Sequence, residues 1–63
     1  MTKEYVQRKA ELLVKDHNHY NSVGYKAAAE DYRTALDNLF YVAGRMGWKF
    51  SYTVSKTGDI TLD

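Results

Sequence analysis

The chain has 63 residues, 44 % of them hydrophobic and 27 % charged, a globular composition rather than a disordered one. Nine Lys and Arg against eight Asp and Glu leave a net charge of +1, too small for a global field that would gather nucleic acid or anionic lipid. The absence of cysteine excludes a disulfide framework, a thiolate zinc site and a cysteine nucleophile.

Other exclusions follow from pattern. The longest apolar run is Leu39 to Ala43, five residues, so no segment is expected to span a membrane. Lys3 is not followed by an apolar h-region, so no secretory signal is expected and the compartment is taken as the cytoplasm. A single domain over residues 1–63 follows from length. A domain of this size buries only about 60 % of its unfolded surface. It rarely walls off a catalytic cleft, so the expectation is not an enzyme, with no cofactor.

The first element is a helix over about Lys3 to Asp16. Thr2 is its N-cap, and Glu4 sits in the first turn, where the helix dipole favours an anion. Val6, Ala10, Leu13 and His17 fall at steps of 4, 3 and 4, one helical face, with Leu12 and Val14 beside it. From His17 to Gly24, Asn18, Asn21, Ser22 and Gly24 are turn and cap formers, which predicts a loop with Ser22 capping the next helix. A link this short makes the two helices antiparallel neighbours.

The second helix is predicted over about Val23 to Met46. Tyr25, Ala28, Ala29, Tyr32, Ala35, Leu36, Leu39, Ala43 and Met46 form its apolar stripe, and Gly47 suits the position after the C-cap. Then Trp48, Phe50, Tyr52 and Val54 alternate with polar residues, as a half-buried strand does. Lys56-Thr57-Gly58 fits a three-residue hairpin loop with Gly58 left-handed. That loop sets Val54 opposite Ile60, Thr53 opposite Thr61 and Tyr52 opposite Leu62, with the apolar face toward the helices. The fold class is therefore α+β: an antiparallel helical hairpin followed by a C-terminal two-stranded β-hairpin, α-α-β-β. An isolated two-stranded sheet is marginal. Its first strand, predicted over 48–55, carries one charge, Lys49, so two copies are expected to join edge to edge as a homodimer, the alternative being a partner that adds a strand.

His17 and His19 form a His-x-His pair beside Asp16, but no other histidine exists to complete a metal site, and no metal is expected. From Ala27 to Gly44 there is one cation, Arg33, against Glu30, Asp31 and Asp37. Glu30 is placed to pair with Arg33. Tyr25, Tyr32 and Tyr52 fall on predicted buried stripes, whereas Tyr5, Tyr20 and Tyr41 do not. Phe40 and Tyr41 widen the apolar surface of the second helix, and tyrosine favours contact surfaces. The candidate partner-binding surface is therefore Glu30, Asp37, Phe40, Tyr41 and Lys49, on the outer face of the second helix and the hairpin edge.

The functional expectation is a non-catalytic protein-interaction module that binds a larger protein stoichiometrically, of the kind bacteria and phages encode as small inhibitors or adaptors. The rival is a small DNA-binding transcriptional regulator using Arg8, Lys9, Lys15 and Lys49. The order helix, helix, hairpin resembles a helix-turn-helix followed by a wing. Glu30, Asp31 and Asp37 on the would-be recognition helix oppose phosphate contact, which ranks this second.

Overall fold

A computed structural model describes all 63 residues. Two helices, α1 (Lys3–Ser22) and α2 (Lys26–Arg45), precede two strands, β1 (Tyr52–Val54) and β2 (Ile60–Leu62). The strands form one antiparallel sheet with Tyr52 opposite Leu62, Thr53 opposite Thr61 and Val54 opposite Ile60. The α-α-β-β order and the register are those the sequence predicts.

Thr2 is extended at the start of α1, and its Oγ1 accepts from the Tyr5 N–H at 3.1 Å. The predicted stripe of Val6, Ala10, Leu13 and His17 is buried. The helix, however, does not stop at Asp16. It continues through His17–Ser22, the segment expected to be a loop. Local turn propensity is a weak prior, overridden here by tertiary contacts. Asn18 Oδ1 accepts from the Ile60 N–H at 2.8 Å, and Asn18 Nδ2 donates to the Ile60 carbonyl at 2.9 Å. Asn21 Nδ2 donates to the Thr57 carbonyl and to Asp59 Oδ1, both at 3.0 Å. Both asparagines thus act on the β-hairpin rather than on their own backbone. Ser22 is not the cap of α2 either: its Oγ donates to the His19 carbonyl inside α1.

The link between the helices is a Schellman turn. Gly24, at φ +84°, donates to the Asn21 carbonyl, and the Tyr25 N–H donates to the Tyr20 carbonyl at 2.9 Å. The Tyr20 and Tyr25 rings, 6.2 Å apart, supply the apolar contact that accompanies this motif. Tyr25 then serves as the N-cap residue of α2 without a side-chain capping bond. Its side chain is 64 % exposed, as Met46 is 50 % exposed, so the predicted apolar stripe is buried only along its middle, at Ala29, Leu36 and Ala43.

In the β-hairpin, the Ser55 N–H donates to the Asp59 carbonyl at 2.8 Å and the Gly58 N–H to the Ser55 carbonyl at 2.9 Å. Gly58 has φ +91°, and a Cβ there would stand 3.2 Å from both Asn21 Nδ2 and Oδ1. The positive φ favours glycine, and any larger residue would also press on the Asn21 carboxamide, which would have to shift. The ladder covers Tyr52–Val54 only, shorter than the predicted 48–55. The buried centre is Ala10, Leu13, Leu36 and Ile60, ringed by Val14, Tyr32, Leu39, Phe40, Tyr52 and Leu62.

Asn18→Ala strips both partners from the Ile60 peptide groups. Two unsatisfied groups cost about 2–3 kcal/mol together, against a total stability near 5 kcal/mol for a small domain. Thermal unfolding is expected about 10–20 °C lower. A shift under a few degrees in a circular-dichroism melt would show that water replaces the carboxamide.

Candidate interaction surface

The sheet lies on one flank of the helical hairpin, and this divides the molecule. On the covered flank, Phe40 of α2 stacks on Phe50 with centroids 5.4 Å apart and meets Tyr52 at 6.1 Å. The Tyr52 hydroxyl donates to Asp37 Oδ1 at 2.5 Å and accepts from Arg33 Nε at 3.3 Å. Burial pushes the Tyr52 phenol above its ordinary pKa. Its bond to Asp37 adds to the rise, and the bond from Arg33 opposes it. Arg33 is itself raised, first by the bond to Tyr52 and then by its field, with Asp37 and Glu30 contributing less.

This geometry separates the residues predicted to form one surface. Phe40 is half-buried beneath the β-hairpin, and Asp37 is bonded to Tyr52. Arg33 is turned to Tyr52 and forms no ion pair with Glu30. Glu30, Tyr41 and Lys49 are exposed. Tyr41 is 65 % exposed. Arg45 Nη1 donates to its hydroxyl at 3.3 Å, and the guanidinium carbon lies 6.0 Å from its ring centroid.

The opposite flank has no covering element. There α1 presents Tyr5, Lys9 and Leu13, α2 presents Ala35, Asn38, Leu39 and Val42, and with Met1 they line a shallow groove of about 320 Å³. Met1, Tyr5, Leu12, Val42 and Met46 are each between 45 and 55 % exposed. Helical periodicity explains the grouping. Tyr5 lies beside the buried stripe of α1 and Val42 beside that of α2, on the side away from Asn18 and Phe40, while Leu39 bridges this groove and the buried centre. The signal was present in the sequence as apolar residues flanking each stripe, making each helix apolar over more than one contact face. At the closed end of the same flank, Tyr20 stacks on Tyr32 with centroids 5.5 Å apart and rings 10° from parallel. Burial, and then Tyr20 and Asp16, raise the Tyr32 phenol.

The remaining candidates are dispersed. Two residues along a helix turn the direction by about 200°, so His17 is buried with Nδ1 2.9 Å from Asn18 Oδ1, while His19 is exposed. The pair therefore cannot converge on one ion from within α1. No group of three His, Cys, Asp or Glu side chains comes together. On α1, Lys3 and Arg8 share their surface with Glu4 and Glu11, which breaks the positive stripe a duplex requires. No helix is long and apolar enough to cross a membrane. No family model matches the chain, and no curated protein or solved structure matches it either.

The raised phenol of Tyr52 makes stability depend on pH with a definite sign. Its contribution is complete below the unfolded tyrosine pKa of about 10 and is lost as pH rises through the higher folded value. Tyr52→Phe should lower stability by about 1 kcal/mol near neutrality and flatten the alkaline decline. Tyr32 remains in the variant, so the difference between the two pH–stability curves isolates Tyr52. Parallel curves would refute the assignment.

Proposed function

We propose that this protein is a non-catalytic interaction module that binds a larger protein stoichiometrically and covers that protein's working surface, as a small inhibitor or adaptor does. The observation that carries the proposal is the uncovered apolar flank of the helical hairpin. Large side chains are exposed together there, on two rigid helices, with Lys9 and Asn38 at the rim. Contiguous apolar surface with a polar border is what a partner site offers. A groove between two helices suits an amphipathic helix, whose apolar residues at i, i+3, i+4 and i+7 would run along it.

The outer face of α2 is the weaker candidate, because Phe40 and Asp37 already serve the contact with the β-hairpin. Of the residues first expected at the contact, Tyr41, Glu30 and Lys49 remain available as a second, more polar patch. A cysteine-free chain is suited to a reducing compartment, and we place the interaction in the cytoplasm.

Capture by tagged protein from nuclease-treated lysate, with wild type beside Val42→Glu and Tyr41→Ala, tests the proposal. Val42 is 45 % exposed, so the charge should leave the fold intact by circular dichroism. One protein held at fixed stoichiometry by wild type and Tyr41→Ala, and reduced at least tenfold by Val42→Glu, is expected, since a buried uncompensated charge costs more than 1.4 kcal/mol. Loss with Tyr41→Ala instead would move the contact to the outer face of α2. Capture that disappears with nuclease would favour the DNA-binding alternative.

A further inference from the structure

The two edges of the sheet are not equivalent. Ser55 and Asp59 are hydrogen-bonded across the hairpin, and at the other end the Asp63 N–H donates to the Ser51 carbonyl. In an antiparallel pair, bonded and non-bonded positions alternate. Thr53 and Thr61 therefore bond to each other, while the peptide groups of Tyr52, Val54, Ile60 and Leu62 point outward, away from the partner strand. On β2 the outward groups of Ile60 are both taken by the Asn18 carboxamide, at 2.8 and 2.9 Å. α1 therefore blocks that edge at Ile60, and only the outward groups of Leu62 are left unbonded there. On β1 the outward N–H and C=O of Tyr52 and Val54 have no intramolecular partner.

Several features make a second copy of this chain the fitting occupant of the open edge. The segment Phe50 to Ser55 contains no charged residue, so an antiparallel pairing of β1 with itself brings no like charges together. A two-fold axis at Thr53 sets Tyr52 of one copy opposite Val54 of the other, and these are the residues whose peptide groups are free. Each such pair exchanges two backbone hydrogen bonds, and the arrangement closes at two copies. Tyr52 and Val54 then meet on the apolar face. Val54, 39 % exposed in the single chain, gains a large neighbour. Room exists for this because β2 lies close against α1, whereas β1 stands off α2 and reaches it through side chains. The two-stranded sheet, marginal alone, becomes four-stranded.

The geometry points to homodimerisation through antiparallel β1–β1 pairing centred on Thr53, a surface distinct from the apolar helical flank. Light scattering on the full chain tests it. Wild type should weigh twice 7.3 kDa at a concentration on the order of 100 μM, where weak edge pairing is populated. Val54→Pro removes one outward N–H and none from the internal ladder, a position where an edge strand tolerates proline. It should be monomeric with its helical circular dichroism retained. Thr53→Lys and Thr53→Glu should each be monomeric, because like charges oppose each other across the axis, and mixing them should restore a dimer. A monomeric wild type overturns the proposal. So does a dimer that survives Val54→Pro, or one dissolved by Val42→Glu, which would place the contact on the helical flank.

Discussion

The contact on which the rest of the molecule depends is the carboxamide of Asn18 against the backbone of Ile60. Two strands of three residues have little stability of their own. Here the inner strand is bonded on one side to β1 and on the other to a helix side chain that supplies both a donor and an acceptor, as a neighbouring strand would. That bond fixes the height and register of β2 over α1 and allows Ile60 to be buried with Ala10, Leu13 and Leu36. Asn21, one helical turn later, repeats the attachment at the loop, and Gly58 accommodates it by having no side chain. An asparagine inside a helix costs roughly half a kcal/mol relative to alanine. Two hydrogen bonds to otherwise unpaired peptide groups outweigh that cost at about 1 kcal/mol each.

A second consequence is asymmetry. Because the β-hairpin is tied to α1, it covers only the flank of the helical pair that carries Val14, Asn18, Phe40 and Asp37. A helical hairpin of this width has two flanks, and both are apolar here. One becomes the core and the other remains in water with Tyr5 and Val42. The buried groups are few, eight residues in all, so an uncovered apolar flank represents a large part of the hydrophobic stabilisation this chain could still gain.

How much of this was legible in the sequence depended on whether the governing contact was local. The register of the β-hairpin was, because Gly58 fixes the loop and alternation fixes the faces. The buried stripe of α1 and the glycine after α2 were legible for the same reason, as short-range periodicity and cap chemistry. The end of α1 was not. Asn18, Asn21 and Ser22 carry the residue types of a turn, and only the distant Ile60, Thr57 and Asp59 make helix the better choice for them. The same misplacement put His17 and His19 on one loop, whereas the continued helix sends them to opposite sides. For the contact surface, the sequence exposed the surplus of apolar residues but not which of them the β-hairpin would cover. Phe40 and Asp37 went to the β-hairpin, and Tyr5 and Val42 were left.

The two unfilled surfaces also differ in what they can recognise. A strand edge offers a repeating row of peptide groups and selects mainly by backbone geometry, so an uncharged edge that can pair with itself is a hazard unless the pairing terminates. Asn18 blocks β2 at Ile60, so in the proposed pairing β1 is the edge that joins two copies, and a two-fold contact of that kind closes on itself. The helical groove selects instead by the shape and spacing of apolar side chains. If both proposals hold, the pair would present two identical grooves, and a target with two matching sites would be held more tightly than by either groove alone.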